Sequence, residues 1–563
     1  MKLCKYLVLT AVSISAAVSS SAITPTKSLP EMVVSTENNT EIVSKENYID
    51  ASFYIVPNEE GGYGLGSAGS PVATEIRGRG NYTWTSFRKK PYKLKLAKKT
   101  ELMGMDKNKH FALLAHADDN TGFLRNTIGF DLSRLFGLAW TPEQRPIQLS
   151  LNGSYDGLYF LTQTIRVDKT RVNIVEQPDT ATAADEITGG WLVEIDNYDT
   201  DPHITVIEGG GSNYPIWFTY KTPEILSTEQ TVFLSDQMET LNRLIYANDK
   251  TDSAELETML DLDAFARYYL VQEVTDNVEA FHGSCYLYRN RGEGEKWTFG
   301  PVWDFGSAFQ REKNGRRIWQ DAYHQVWVEE LLKFPAVQNK VKEVWLDILE
   351  EGFDGLFEVI VRFENSISPA MELDRERWPD YGARDYRTAW SQTMEMLKQN
   401  ILEVGSWYGD VTGLAPTVYL RGDFNNWGLS TPFVYDRATG LYEVSVQYLD
   451  CPFKIATSDW STIDYGAPDS RPVVFGEAPF NLVKKGSNIV PAQPIRESVM
   501  IFNTEEATLQ VKKTGAADDV FADEDDSQPE YFTIDGRRVD FSERMKGIYI
   551  EKRGASVKKI LRR

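Results

Sequence analysis

Residues 77–96 read RGRGNYTWTSFRKKPYKLKL. The second half, from Tyr92 to Leu96, alternates apolar and charged residues, the period of a half-buried β-strand. On such a strand Lys93 and Lys95 project to one face. Two ammonium groups on one face repel unless an anion sits between them. The glycines beside Arg77 and Arg79 let a backbone approach a phosphate closely. This cationic cluster is conspicuous because the chain around it is acidic: 563 residues carry 60 Lys plus Arg against 82 Asp plus Glu, a formal net charge of −22. That balance argues against a general nucleic-acid binder, which needs a basic face against phosphates.

Working outward, the first half of the chain is β-rich. Residues 51–56 and 72–77 read as strands. Residues 122–137 carry Phe123, Leu124, Ile128, Leu132 and Leu135 near helical spacing, with Gly137 as a stop signal. Residues 146–151 and 157–162 read as two strands around Asn152-Gly153, a strong hairpin signal. Residues 190–195 make a further strand candidate. From about Thr228 the pattern turns helical, with segments 229–246, 262–274, 337–349 and 386–401, interrupted by strand-like pieces at 284–288 and 297–300. A mainly β lobe followed by a mainly helical lobe predicts an α+β, two-lobed plan with a ligand in the cleft between the lobes.

The cleft should receive a second set of residues. The segment Glu273-Val274-Thr275-Asp276-Asn277-Val278-Glu279 places three carboxylates and an amide at the end of a helix. A strand pair follows, and then Trp303-Asp304-Phe305-Gly306. Helix, acidic loop, strand pair and Asp-Phe-Gly is a layout that holds a metal–nucleotide, with one carboxylate serving the acceptor and the later Asp serving Mg²⁺. One of the carboxylates Glu273, Asp276 and Glu279 is the candidate base. Asp304 and Asn277 are the candidate metal ligands, since Mg²⁺ takes hard oxygen donors. His282 reads as structural.

In this order the strings IRGRGNYTW, RKKPYKLKL, LLAHADDNTGFLRNTIGFDLSRLFGL, LNGSYDGLYFLTQTI, GGWLVEID, NVEAFHGSCYLYR and GPVWDFGSAF resemble the spore-coat-protein-H (CotH) kinase family. The resemblance covers roughly residues 48–408. It implies an atypical, two-lobed protein-kinase-like domain that binds ATP with Mg²⁺ or Mn²⁺ and phosphorylates Ser or Thr of secreted or surface proteins. It further implies that Arg79, Lys93 and Lys95, with Arg77 beside them, face the phosphates and that Asp304 holds metal. Two positions depart from the pattern. Glu279, the base that the resemblance implies, with Asp276 as its substitute, stands where many relatives carry Asp, which moves the carboxylate by more than about 1 Å, a displacement that can cost on the order of a hundredfold in rate. Gly306 stands where relatives often carry an acid or amide. A catalytically impaired surface protein acting as a glycan- or protein-binding adhesin is therefore the alternative, and a different nucleotide-dependent transfer, such as that of AMP, is a third reading.

The ends of the chain carry other signals. Residues 1–22 have Lys2 and Lys5, an apolar run from Tyr6 to Val18 and a small-residue end, which reads as a signal peptide. Export to the cell surface or periplasm follows, with no membrane span after cleavage. Cys285 and Cys451 remain and read as buried thiols. Residues 23–47 read as a polar linker. Residues 412–513 resemble the early-set, immunoglobulin-like β-sandwich of glycogen- and starch-binding modules, through LRGDFNNW, Phe453-Lys454-Ile455 and Trp460. The resemblance makes Trp427 and Trp460 candidate glycan platforms, because flat rings stack on sugar faces. Residues 514–530 form an acidic linker. Residues 531–563, with two short strands, resemble the sorting tails of proteins exported by Gram-negative Bacteroidetes.

Overall fold

The computed structural model describes residues 23–563, apart from 322, 409–415, 437–438, 459, 477, 514–529, 534–537, 540–546, 554–555 and 563. The expected signal peptide and almost all of the acidic linker lie outside the described residues.

Seven strands open the chain: β1 (Glu31–Thr36), β2 (Ile49–Val56), β3 (Val72–Gly78), β4 (Tyr92–Leu102), β5 (Met105–Leu114), β6 (Gln144–Leu151) and β7 (Ser154–Gln163). They close into a barrel in the order β1-β2-β3-β4-β5-β7-β6. The alternation read from the sequence decides which side each residue takes. Ile76, Leu94 and Leu96 fill the interior together with Met32, Phe53, Phe111, Leu149 and Leu161. Lys93 and Lys95 stand on the outer face. The Asn152-Gly153 turn joins β6 to β7, both residues at positive φ (49° and 78°), as a tight hairpin turn requires.

The expected linker 23–47 is corrected here. It supplies β1, which pairs antiparallel with β2 and parallel with β6 and so closes the barrel. Met32 and Val34 are fully buried. Without β1 the edges of β2 and β6 would be left unpaired.

A second sheet follows, of β8 (Trp191–Asp196), β9 (His203–Ile207), β10 (Pro215–Thr222), β11 (Cys285–Arg289) and β12 (Thr298–Phe299), in the order β12-β11-β8-β10-β9. Helices Leu124–Leu135, Thr228–Ile245, Leu262–Thr275, Pro335–Glu351, Asp354–Arg377 and Tyr386–Tyr408 surround it and share one large apolar core. Their starts are legible in the chain. Ser227 caps the second of these helices in a capping box with Gln230, and the Asp261 side chain caps the third.

One buried ion pair pins the barrel to the helices. Lys89, 1% exposed, bonds Asp374 at 2.8 Å and the Leu158 carbonyl at 2.8 Å. Asp374 in turn accepts the Leu158 N–H at 2.7 Å.

Beyond residue 415 a four-stranded and a five-stranded sheet enclose a separate core that includes Leu420, Phe453, Ile455, Met500 and Phe502. The end of the chain forms a four-stranded antiparallel sheet, Glu530–Thr533, Arg538–Val539, Gly547–Arg553 and Ser556–Arg562, where two strands were expected. Cys285 is buried as expected, whereas Cys451 is half-buried; both are free thiols.

Candidate functional site

The acidic loop is aimed by the way its helix stops. Helix Leu262–Thr275 ends on Asp276 in the left-handed region (φ 48°), and Asn277 N–H returns to the Gln272 carbonyl at 3.0 Å. The chain is thereby turned out of the helix, and residues 277–283 run along the end of the second sheet before β11. Asn277 is fully buried. Its amide donates to Gln272 Oε1 at 2.9 Å and to the Asp304 carbonyl at 3.1 Å, while its Oδ1 is buried without a partner among the described residues. Two residues on, the Glu279 carboxylate accepts the Ser307 hydroxyl at 2.5 Å and also the hydroxyl of Tyr323, whose ionisation the Glu279 charge opposes.

Asp304 follows β12 in a tight turn. Its own φ is 55°, its side chain is exposed, and its Oδ1 accepts the Gly306 N–H at 3.0 Å. Helix Leu124–Leu135 grips this turn at two points. Asn126 Oδ1 accepts the Phe305 N–H at 3.1 Å, and the Arg125 guanidinium donates to the Gly306 carbonyl while pairing with Asp118 at 3.3 Å and Asp119 at 3.4 Å. The Phe305 ring lies so close to the helix that a Cβ on Gly129 would come within 2.4 Å of it. Arg125, Asp131 and Arg134 are the charged residues of this helix. The structure assigns the contact to Arg125, since Arg134 turns to Asp131 (2.7 Å) and the Pro142 carbonyl. Burial pushes the Asp118 carboxyl up, with Arg125 opposing and Asp304 among the groups that raise it further.

The basic cluster lies on β3 and β4 and just after β3. Arg77 and Lys93 are cross-strand partners on β3 and β4. The Arg79 guanidinium lies 5.4 Å from the centre of the Trp303 ring. Burial lowers its pKa, and Asp304, Tyr286 and Glu194 act against that. Arg79 thus connects the outer face of the barrel to Asp304 and the second sheet. Lys93 is pushed down to about 8 by burial first, then by Arg77, Arg166 and Arg79. Lys95 shares the face but is partnered: Glu75, its cross-strand neighbour, holds it at 2.8 Å. Of the two lysines, only Lys93 is left without an ion pair among the described residues.

The other candidates fall elsewhere. Asp276 is 2% exposed and is drawn into a network in which Lys313 bonds both it (3.2 Å) and Glu273, with Arg311 at 3.5 Å. Its carboxylate is committed to Lys313 and Arg311. Glu194 pairs with Lys221 at 2.8 Å beside the cleft; burial raises its pKa and Lys221 opposes. His282 is half-buried, its Nδ1 3.2 Å from the His324 carbonyl and its ring 5.5 Å from that of Tyr323. Tyr323 also lines a cavity of about 260 Å³ with Glu208, Trp319, Asp321, His324 and Trp327. In the C-terminal unit Trp427 and Trp460 are both half-buried. Their ring centres lie 6.2 Å apart at 40°. Arg421 stacks on Trp460 at 4.0 Å, and Trp427 donates to Asp423 at 2.8 Å.

Among the described residues no three His, Cys, Asp or Glu side chains converge as a metal site. A metal here would take the Asp304 carboxylate, the orphaned Asn277 oxygen and ligand phosphate oxygens, a donor set that suits Mg²⁺, which commonly uses one or two carboxylates plus phosphates. Sequence reasoning missed Ser307, Tyr323 and Arg166. Ser307 lies directly after Gly306, in a string already singled out, but nothing in its spacing announces a contact with residue 279.

A family model described as CotH kinase protein matches residues 76–408, the segment that contains the basic cluster, the acidic loop and the Asp304 turn. No curated protein matches the chain.

Proposed function

Because the chain belongs to the CotH kinase family, we propose that it is an exported atypical protein kinase that transfers the γ-phosphate of ATP to Ser or Thr of secreted or surface proteins. The family implies use of a nucleotide and a divalent metal. The observation that carries the reading is the approach of Arg79 to Asp304, with Lys93 beside Arg79 and without an ion pair among the described residues. Positive charge on one wall suits a polyphosphate. The exposed Asp304 carboxylate, and the Asn277 amide that bonds the Asp304 carbonyl and whose buried Oδ1 has no partner among the described residues, suit its cation.

In this assignment Arg77, Arg79 and Lys93 bind and orient the phosphates, while the charge of Lys95 is neutralised by Glu75. Asp304 and Asn277 would hold Mg²⁺, which when bound neutralises charge on the phosphate oxygens. Arg125 and Asn126 fix the Asp304 turn through backbone contacts, so the carboxylate is presented without reorganisation. Glu279 takes the proton of the acceptor hydroxyl. Its hydrogen bond to Ser307 demonstrates that the longer side chain, despite the extra methylene, still reaches a hydroxyl group.

The test is calorimetry of ATP binding with and without Mg²⁺. The wild-type chain binds more tightly with the metal, and Asp304→Ala removes that increment. No binding at millimolar ATP rejects kinase and AMP transfer alike and leaves the adhesin reading.

The tilted Trp427–Trp460 pair favours a second activity beside the first: glycan binding by residues 416–513. Affinity-gel retardation by starch-type glycans, lost in Trp427→Ala and Trp460→Ala, supports it; unchanged retardation in both variants removes the pair as the platform. The apolar run of residues 1–22 is the support for export.

A further inference from the structure

We propose that Ser307 is an acceptor in cis: the protein phosphorylates its own Ser307 within a single chain. The inference rests on the kinase reading above and adds a modification site to it.

The argument starts from a constraint on any base. A residue that deprotonates an acceptor must lie about 2.6–3.2 Å from the hydroxyl oxygen. Within that reach of Glu279 the chain already holds a hydroxyl: Ser307 Oγ donates to Glu279 Oε2 at 2.5 Å. The contact is charge-assisted and short, as O–H···O⁻ bonds are. It reproduces, inside the free protein, the relation that an incoming Ser or Thr must establish.

Three further features place this hydroxyl with the reacting groups. Ser307 is three residues from Asp304 in a turn closed by the Asp304 Oδ1 to Gly306 N–H bond. That turn is fixed from behind by Arg125 on the Gly306 carbonyl and Asn126 on the Phe305 N–H. Glu279 is oriented from a second side by Tyr323, and Ser307 is 7% exposed. A purely structural serine at this depth would serve equally well on a backbone carbonyl. Here it satisfies the one carboxylate in the loop that is not tied into an ion pair among the described residues.

The step balances as an ordinary phosphoryl transfer. Ser307 Oγ forms a bond to the γ-phosphorus, and the bond from that phosphorus to the β,γ-bridging oxygen breaks. ADP leaves with the bridging electron pair, and the Ser307 proton passes to Glu279 Oε2. Because Ser307 is enclosed, the donor is the ATP bound to the same chain. The reaction is then first order in protein and ends at one phosphate per chain at this position. The product carries close to two negative charges beside Glu279 and Asp304, so it disfavours rebinding of ATP.

The experiment incubates the full chain with ATP and Mg²⁺ and maps phosphorylated residues by peptide mass spectrometry, with calorimetry of ATP binding in parallel. The expected result is phosphoserine at 307, with a fractional rate unchanged over a hundredfold range of protein concentration. Ser307→Ala loses that phosphate, while Ser307→Thr, which keeps the hydroxyl, carries phosphothreonine at 307. Retained ATP binding in both variants demonstrates that they are folded. ATP binding without a phosphate on Ser307, or a fractional rate that rises with protein concentration, overturns the inference and leaves the kinase reading standing. No ATP binding by the wild-type chain overturns both.

Discussion

The pKa of Lys93, pushed down to about 8, makes nucleotide affinity depend on pH in a way that can be worked out in advance. Burial removes water from the ammonium group, and Arg77, Arg166 and Arg79 repel it, so the free site gives up the proton more readily than an ordinary lysine near 10.5. A bound polyphosphate reverses the balance by supplying the missing negative charge, and the pKa returns toward its ordinary value. Linkage then fixes the sign: below about pH 8 the lysine is already charged and affinity is flat, while above it each further pH unit costs up to about tenfold. Between about pH 7 and about pH 9 the dissociation constant for Mg²⁺–ATP should rise on the order of tenfold, and binding at about pH 8 should take up roughly half a proton. Calorimetry in buffers of different ionisation enthalpy reads both quantities in one titration series. Lys93→Met should bind weakly and without this pH dependence. Lys93→Arg, which stays charged throughout, should abolish the dependence while keeping affinity. Wild-type affinity that is flat through this range, or a Lys93→Met variant with the same profile as wild type, refutes the placement of Lys93 against the phosphates.

Three other outcomes follow from buried groups. Lys313→Met leaves Glu273 and Asp276 as buried carboxylates without their ammonium partner; denaturant unfolding should report a loss of about 3–5 kcal/mol, and a loss under about 0.5 kcal/mol would show that the network holds nothing together. Gly129→Ala should weaken the Mg²⁺-dependent part of ATP binding, because the new methyl would meet the Phe305 ring at 2.4 Å and displace the Asp304 turn; unchanged metal dependence would separate that helix from the site. Glu364 is raised to about 8 by burial, with Oε1 lacking a partner. Its folded pKa exceeds the unfolded one, so its contribution is present below about pH 4.5 and is lost up to about pH 8, at up to about 1.4 kcal/mol per pH unit. In pH-resolved unfolding Glu364→Gln should not show that loss, and an unchanged slope would exclude Glu364 as its source.

Local periodicity carried the central elements. The alternation at 92–96 predicts β4 and the side taken by Lys93, the 122–137 spacing predicts the helix that grips Asp304, and Asn152-Gly153 predicts the β6–β7 turn. What stayed hidden depended on partners far along the chain. The strand Glu31–Thr36 is short and set in polar sequence, and it becomes a strand by pairing with residues 148–151. Helix Asp354–Arg377 contains Pro369 and a β-branched run, signals that argue against a helix until its buried face is supplied by the core. At the site, Glu279, Asn277 and Asp304 were singled out by residue type and order along the chain. The commitment of Asp276 to Lys313, of Lys95 to Glu75 and of Glu279 to Ser307 was not, because each is a contact made by tertiary folding, across 37, 20 and 28 residues.

The most direct test of the account is a comparison of label from γ-phosphate and α-phosphate of ATP on the full chain, with Mg²⁺, in wild type and Glu279→Gln. Glutamine keeps the shape of the side chain but takes no proton. The account predicts covalent label from the γ position, none from the α position, and loss of label in Glu279→Gln with ATP binding retained. Label from the α position would establish AMP transfer instead, and undiminished γ label in Glu279→Gln would contradict the assignment of Glu279 as the base.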